Sequence, residues 1–231
     1  KSVFSQEDKY TLLMKTKLIS FFRKSILAFT LFLSANSFGQ GIIPTVGTDF
    51  WMGFMNNYSG LNAELRLFIS SSVATSGTVD MPLQAWSQPF VVVPNVVTTV
   101  VVPLAMGLHV LNDVVDLRGI HITTLDDVSV FGINFANATA DATKVLPVKS
   151  LGIDYIVTTY QGIGFNGNNF SSECLVVATE DGTEIQITPS VPTDGGNAAG
   201  VPYIVQLDQG ESYQITAADN FTDLTGTFIV G

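Results

Sequence analysis

The chain has 231 residues, of which 46% are hydrophobic and only 13% are charged, and its formal net charge is −10. Twenty acidic residues against ten basic ones exclude a chain-wide basic footprint for nucleic acid, and the apolar content excludes a disordered chain. Two histidines and one cysteine are too few for a zinc site of His and Cys ligands or for an internal disulfide. We therefore expect a folded protein without cofactor or metal.

The first 39 residues have the pattern of an upstream extension followed by a signal peptide. Basic residues at Lys15, Lys17, Arg23 and Lys24 precede an apolar run over 26–33, and small and polar residues follow over 34–40. The run is about half the ~20 apolar residues that a membrane span needs, so an anchor is the weaker alternative. We expect cleavage before Gln40, with a site near residue 35 as the alternative. This predicts a secreted or cell-surface protein.

Beyond residue 39 the composition and patterning are those of strands and turns. Four basic and eighteen acidic residues remain there, which favours solubility and disfavours anionic partners. Runs rich in β-branched and aromatic residues, bounded by Gly, Pro, Asn or Asp, predict strands at Asp49–Asn56, Leu65–Ser70, Thr78–Met81, Phe90–Val93, Thr98–Val102, Gly119–Thr124, Val128–Phe135, Tyr155–Tyr160, Cys174–Thr179, Glu184–Thr188, Tyr203–Leu207, Ser212–Thr216 and Gly226–Val230. The continuous apolar runs at 91–93 and 100–102 predict strands covered on both faces.

The two halves of this region resemble each other in sequence. Five short matches follow in the same order, roughly 105 residues apart: Gly47–Phe50 with Gly152–Tyr155, Glu64–Leu67 with Glu173–Val176, Pro82 with Pro189, Leu104–Gly107 with Leu207–Gly210, and Asp116–Gly119 with Asp223–Gly226. A unit of this length with about seven strands has the size of one β-sandwich. We therefore predict an all-β fold of two tandem, duplicated β-sandwich-like units, with a β-propeller-like repeat as the alternative.

The predicted domains follow from this repeat. Residues 1–39 are the extension and signal peptide, 40–140 the first β unit, and 141–231 the second. The second unit lacks a counterpart of the strand Val128–Phe135, so we expect it to be truncated and expect further domains of a longer chain after Gly231.

No constellation of residues predicts catalysis. His109 and His121 both lie among apolar residues, which is typical of strand histidines on the polar side of the alternation. Cys174 lies in an apolar run and is interpreted as a buried small hydrophobe. The segment Glu180–Thr183 predicts a hairpin turn between two strands. Asp194–Asn197 and the acidic pairs could offer oxygens to Ca²⁺, but none has the spacing of a calcium loop, and turn formation is the favoured interpretation.

Three stretches together resemble the N-terminal domain of the IgGFc-binding protein family. They are Gly119–Asn134, Asp141–Tyr155 and Glu173–Pro189, continued by Leu207–Tyr213 and Asp223–Thr227, so that the resemblance covers nearly all of 47–231. In animals the family forms part of a large secreted mucus protein named for binding the Fc part of immunoglobulin G. Similar domains occur in secreted or surface proteins of Bacteroidetes-type bacteria, often in adhesin-like chains. The end of the signal peptide suits the bacterial branch.

These observations favour a non-catalytic adhesion or binding module, with immunoglobulin Fc or a mucin-like glycoprotein as the expected extracellular partner. A glycoside hydrolase-like enzyme and a structural spacer in a long surface protein are the alternatives. The contact surface is expected in three polar loops, 57–62, 162–172 and 192–199, because loops are free to vary around a strand scaffold. The candidate contact residues in them are Tyr58, Phe165, Asn168, Phe170 and Asn197.

Overall fold

The computed structural model of the protein describes Met14, Lys15, Lys17 and residues 43–57, 63–137, 139–165 and 168–231. The chain divides into two compact units, residues 1–42 and 43–231. In the first unit Met14, Lys15 and Lys17 are helical and exposed. The remainder of the predicted signal peptide and its cleavage site before Gln40 lie outside the described residues. Where the structure describes the chain, no helix has the length and apolar character needed to cross a membrane.

The regular elements in the described part of residues 43–231 are almost all strands, which confirms the all-β prediction. Strands β1 to β8 run over Gly47–Met52, Glu64–Ser70, Thr75–Met81, Trp86–Val92, Thr98–Val102, Val115–Asp116, Ile120–Ala136 and Thr139–Val145. Strands β9 to β16 run over Asp154–Ile156, Ile163–Phe165, Asn168–Phe170, Glu173–Val177, Thr183–Thr188, Tyr203–Leu207, Ser212–Thr216 and Phe228–Val230. Short helical segments are α1, Leu104–Gly107, and two 3-10 turns, Pro82–Gln84 and Val148–Ser150.

Strands β1 to β5, β7 and β8 form one nearly closed antiparallel sheet, called here the first strand set. The 17-residue β7 pairs with β1 and β3 through its first part and with β2 and β8 through its second part. Exposed residues Leu125–Asp127 separate the two parts, which the sequence had predicted as two strands. Strand β4 pairs with β3 and β5 with β2, and the Thr98 hydroxyl donates to the Val91 carbonyl at 2.8 Å between β4 and β5.

The core of the first strand set lies inside this sheet and follows from the period-two pattern of its strands. In β2 the side chains of Leu65, Leu67 and Ile69 are fully buried, while the residues between them are partly exposed. Phe50, Val79 and Ile122 contribute from the other strands to the same cluster. Alternation along each strand therefore fixes which face forms the core.

The second strand set consists of two sheets around a separate core. One sheet has the order β14-β13-β16-β9 and the other the order β12-β15-β6. Ile187, Leu207, Ile215 and Leu224 are the most deeply buried members of its core cluster. A small hairpin of β10 and β11 stands outside both sheets.

The two strand sets have a similar order of pairing. The order β1-β7-β3-β4 recurs as β9-β16-β13-β14, and the pair β2-β5 recurs as β12-β15. Phe50 lies opposite Ile122, and Tyr155 lies opposite Ile229. One of the five sequence matches does not fit this order. Leu104–Gly107 follows β5, whereas Leu207–Gly210 precedes β15, the counterpart of β5.

The strand sets are interleaved along the chain. Strand β8 crosses the predicted boundary at residues 140/141 and pairs with β7 of the first set. Strand β6, which comes from the first half of the sequence, pairs with β15 of the second set. A cut in the sequence near residue 140 would thus remove a strand from the first sheet.

Burial of the valine-rich runs differs from the prediction. Val91 is 67% exposed and Val101 is 55% exposed, although Val92, Val100 and Val102 beside them are buried. The prediction that these strands are covered on both faces is wrong. The nearly closed sheet has one interior, so alternate valines face outward.

Candidate functional site

Strand β15 carries a polar face that is fully buried. In its sequence Ser-Tyr-Gln-Ile-Thr, Tyr213 and Ile215 face the core of the second strand set, whereas Ser212, Gln214 and Thr216 alternate with them. The three polar side chains are nonetheless less than a tenth exposed. Buried polar groups need hydrogen-bond partners, and here the partners are Asn56, Asn112 and Asp116.

Asn112 and Gln214 connect the segment between α1 and β6 to β15. The Gln214 amide donates to the Asn112 side-chain oxygen at 2.9 Å, and the Thr216 hydroxyl donates to the same oxygen at 2.8 Å. The Asn112 amide donates to Asp194 at 3.2 Å. The Gln214 side-chain oxygen in turn accepts the backbone N–H of Asn56 at 3.2 Å. Two loops and one strand are thereby joined through side-chain amides.

Asp113 is the centre of the adjoining contacts. Its carboxylate accepts hydrogen bonds from Tyr213 (3.1 Å), Asn197 (3.1 Å), Thr193 (3.3 Å) and the backbone N–H of Gly195 (2.8 Å). Burial raises the pKa of Tyr213 to about 12, so its hydroxyl keeps the proton it donates. The backbone of Asp113 has φ +52°, a conformation that Asp tolerates better than most residues.

Position 195 requires glycine because no space is left there for a side chain. A Cβ atom on Gly195 would lie 2.3 Å from the Cβ atom of Asp113, which is too close for any side chain. The loop 192–199 is held further by its own bonds, from the Asn197 backbone and amide N–H groups to the Thr193 hydroxyl at 3.2 and 3.1 Å. The loop therefore has a fixed shape with a carboxylate beneath it.

The ends of the three predicted contact loops meet around the end of β15. The first loop begins beside Asn56, which is bonded to Gln214. The base of the second is Ser172, whose carbonyl accepts from the Ala217 backbone N–H at 2.9 Å. The third is attached through the Asp194 backbone N–H to the Thr216 carbonyl at 2.9 Å, with a bridge between Thr193 and Ala217. We call this arrangement the β15 loop cluster.

The candidate contact residues have different positions in this cluster. Tyr58 lies outside the described residues. Phe165 and Asn168 are opposite each other at the end of the β10–β11 hairpin, and Phe170, half-buried, lies opposite Ile163 in it. The Asn197 amide is already bonded to Asp113 and Thr193, so it stabilises the loop. That these residues contact a partner stays a prediction.

The two histidines are in unlike environments. His121 on β7 is partly exposed, lies 2.8 Å from an Asp49 oxygen, and stacks on Trp51 with ring centroids 4.2 Å apart. His109 is fully buried outside any strand, so the prediction of a strand histidine on the polar side is wrong for it. Burial lowers the pKa of His109, and its ring nitrogens have no hydrogen-bond partner among the described residues.

Two further predictions concern acidic residues and the cysteine. The turn at Glu180–Thr183 exists, with Gly182 at φ +66°, but it leads from one sheet to the other and is not a hairpin turn. Cys174 is partly buried, and burial raises its pKa to about 11. Within the described ranges, no three His, Cys, Asp or Glu side chains are grouped as a metal site would require.

Sequence reasoning missed the residues that hold the cluster together. Asn112, Asp113 and Gln214 are ordinary turn and strand residues in the sequence, and alternation places Gln214 on a solvent face. Only the contact with the distant segment at 112–113 buries it.

The fold and cluster define an all-β protein with irregular loops gathered at one strand end. Comparison with known families gives a match over residues 141–231, about two fifths of the chain, to the family described as IgGFc binding protein. The matched part contains β9 to β16 and two of the three loops of the cluster. It supports the family resemblance for this part of the chain. No curated protein and no solved structure gave a match.

Proposed function

We propose that this protein is a non-catalytic binding module that recognises an extracellular protein or glycoprotein, with immunoglobulin Fc or a mucin-like glycoprotein as the candidates. The observation that carries the proposal is the meeting of the ends of the three polar loops around the end of β15. The family match over 141–231 supports binding, because the family is named for it.

The geometry of the β15 loop cluster suits recognition. Binding needs irregular, variable segments on a support whose shape does not change when the partner arrives. Here the support is the fully buried β15, and the Asp113 contacts fix the loop 192–199 on it. Aromatic residues of the β10–β11 hairpin, Phe165 at its turn end and Phe170 at its base, would supply the anchors that dominate protein interfaces.

Several finer points belong to the same proposal. We propose export by the signal peptide over 1–39, membership of the bacterial branch of the family, and duplication into units 40–140 and 141–231. The recurring strand order of the two strand sets supports duplication. The pattern of basic, apolar and small residues before Gln40 supports export.

A binding experiment with two glycine variants tests the proposal. The full chain is passed over immobilised Fc fragments and over mixed mucins, and we expect retention on one of them. Gly195→Ala should weaken the affinity about tenfold or more, because its methyl group displaces Asp113 and the loop above it. Gly152→Ala is the matched control, since a Cβ atom there meets nothing within 4 Å.

Two outcomes would contradict the proposal. Absence of retention on every surface would leave a structural spacer as the better function. Retention that survives replacement of 57–62, 163–170 and 192–199 by Gly-Ser linkers would show that the contact surface lies outside the loops.

A further inference from the structure

A groove on the outer surface of the first strand set lies over strand β3 and its two neighbours, β4 and β7. Its volume is about 740 Å³, which is within the range of sites that bind small ligands. Strand β3 pairs with both neighbours, and Thr78 lies opposite Pro89 on one side and opposite Thr123 on the other. The groove shares no residue with the β15 loop cluster.

Apolar side chains that line this groove are exposed to solvent. Val91 on β4 is 67% exposed, and Leu125, between the two parts of β7, is 79% exposed. Pro89 is exposed as well, and the buried Phe90 contributes to the lining. The groove therefore offers apolar contact area that the fold itself does not use.

Three hydroxyl groups line the same groove, those of Ser76, Thr78 and Thr123. The Thr78 hydroxyl donates to the Asp80 carboxylate at 2.7 Å, and the Thr78 and Thr123 oxygens lie 3.1 Å apart. A hydroxyl has one proton, so Thr78, which gives its own to Asp80, accepts the proton of Thr123. The Thr123 oxygen is left as an acceptor only. The Ser76 hydroxyl has no hydrogen-bond partner among the described residues and is free to donate or accept.

This lining restricts the chemistry of a ligand. The residues that line the groove are all uncharged, although the chain has a net charge of −10, so an ion would lose hydration there without gaining a countercharge. A purely apolar ligand would cover the Thr123 and Ser76 oxygens and replace none of their hydrogen bonds to water, which costs free energy. A neutral ligand with O–H donors beside apolar C–H faces meets both conditions.

We propose that the groove over β3 binds a neutral sugar unit of a glycan. One sugar hydroxyl donates to the Thr123 oxygen, a second bonds to the Ser76 hydroxyl, and a C–H face of the ring packs on Leu125 and Val91. Thr78, through its bond to Asp80, orients Thr123 for this contact. The groove is a second site that goes beyond the contacts proposed for the loops.

Titration of the full chain with disaccharides tests the proposal. The probes are lactose, cellobiose and N,N′-diacetylchitobiose, which are neutral, and the acidic disaccharide of hyaluronan. We expect at least one neutral probe to cause saturable NMR shifts of the backbone amides at 76–78, 90–91 and 123–125. Absence of such shifts with every probe would overturn the proposal. Shifts caused by the acidic disaccharide alone would overturn the choice of a neutral sugar.

Matched variants at the hydroxyls separate a sugar from other ligands. Thr123→Val keeps the shape of the side chain but removes the acceptor, and we expect it to weaken the affinity for the bound disaccharide about fivefold. Thr123→Ser keeps the hydroxyl and should keep the affinity. Thr99→Val, at an exposed threonine of β5 outside the groove, is the control and should change nothing.

Two further variants change side chains that the fold leaves without a role. Ser76→Ala and Leu125→Ser should each weaken the affinity severalfold, while their urea unfolding midpoints stay those of the unchanged protein. Binding that is lost in Leu125→Ser but unchanged in Thr123→Val and Ser76→Ala would assign the groove to an apolar ligand and overturn the assignment to a sugar.

Discussion

Single buried polar groups decide how this protein responds to pH. His109 is fully buried, and its closest charged neighbours are Asp116 and Arg118, which form an ion pair with each other. The Leu111 and Ser212 backbones come near the ring without hydrogen bonds of good geometry. Glu173 is a carboxyl whose pKa burial raises to about 7. Both groups favour their neutral forms in the folded protein, because burial disfavours the charged form and, at His109, outweighs the opposing effect of Asp116 on the pKa.

His109 should make the folded state less stable in mildly acidic solution. Its pKa is lowered by folding, so the stabilisation is complete above the ordinary value of 6.5 and is lost as the pH falls below it. The free energy of unfolding then falls by at most about 1.4 kcal/mol per pH unit. We expect the free energy of unfolding of His109→Leu, measured by urea denaturation at a series of pH values, to depend less on pH in this range. An unchanged slope between pH 6.5 and 4.5 would show that His109 does not titrate there.

Glu173 should act in the opposite direction. Because its folded pKa is raised, the stabilisation is complete below the ordinary value near 4.5 and is lost as the pH rises toward 7. We expect Glu173→Gln to raise the free energy of unfolding by about 1–3 kcal/mol at pH 7.5 and to change nothing at pH 4. Glu64→Gln, at the exposed ion pair with Arg66, is the control and should change stability by less than about 0.5 kcal/mol. Equal effects of the two variants at pH 7.5 would refute the role of burial.

At the scale of single elements, polar contacts determine where loops are fixed. Strand β15 buries Gln214 and Thr216 because Asn112 accepts from both side chains, and it buries Ser212 because the Asp116 carbonyl accepts from its hydroxyl. The carboxylate of Asp113 then has four donors from two separate parts of the chain, the loop 192–199 and strand β15. A helix or hairpin is held by local bonds, but this loop cluster is held by residues 80 or more apart in sequence.

Removal of the Asp113 carboxylate should loosen the loop 192–199 and destabilise the protein. Asp113→Ala leaves four donors without their acceptor, and we expect a loss of about 2–3 kcal/mol in urea unfolding. Asp113→Asn keeps one side-chain oxygen and tolerates the positive φ, so it should lose less. Asp126→Ala, at an exposed carboxyl, is the control. If Asp113→Ala unfolds like the control, the contacts contribute nothing to stability.

Over the whole of residues 43–231, the two strand sets are joined by close backbone contacts. The Gly119 backbone N–H donates to the Gly210 carbonyl at 2.9 Å, and β6 adds a strand from the first half to the sheet of the second. Trp51 of β1 packs closely on Gly210, since a Cβ atom there would lie 3.2 Å from the Trp51 ring. Such interleaving couples the stability of the two sets.

We therefore expect residues 43–231 to unfold in a single transition. Trp51 and Trp86 both belong to the first strand set. Tryptophan fluorescence therefore follows the unfolding of that set, whereas far-UV circular dichroism follows the whole protein. Coincident urea curves are the expected result. Gly119→Ala should lower both midpoints, because a Cβ atom there would lie 2.4 Å from the Gly210 carbonyl oxygen, whereas Gly152→Ala should lower neither. Separate midpoints for the two signals would show that the sets unfold independently.

Strand positions were largely predictable because the signal is local. Alternation in β13 places Ile185 and Ile187 in the core and Glu184 and Gln186 outside, and the structure agrees. The short strands β6, β10 and β11 were missed, since two or three residues carry too little pattern, and the seven-residue β8 was missed because nearly all of its residues are exposed and show no alternation. The long β7 was divided at the exposed residues Leu125–Asp127, because a change of pairing partners within one strand looks like a turn in sequence.

The sequence by itself determined the all-β class, most strand positions, the interior face of the strands whose apolar and polar residues alternate, and the polar loops, since these follow from residue type and a period of two. Tertiary structure alone decided which strands pair. It placed β6, from the predicted first unit, in a sheet of the second strand set, and β8, mostly from the predicted second unit, in the sheet of the first set. It also decided that Val91 and Val101 face outward. It also decided that Gln214 and His109 are buried and that Asp113 lies beneath Gly195. Those outcomes depend on contacts between distant residues, and local patterns carry no record of which distant segment covers a given face.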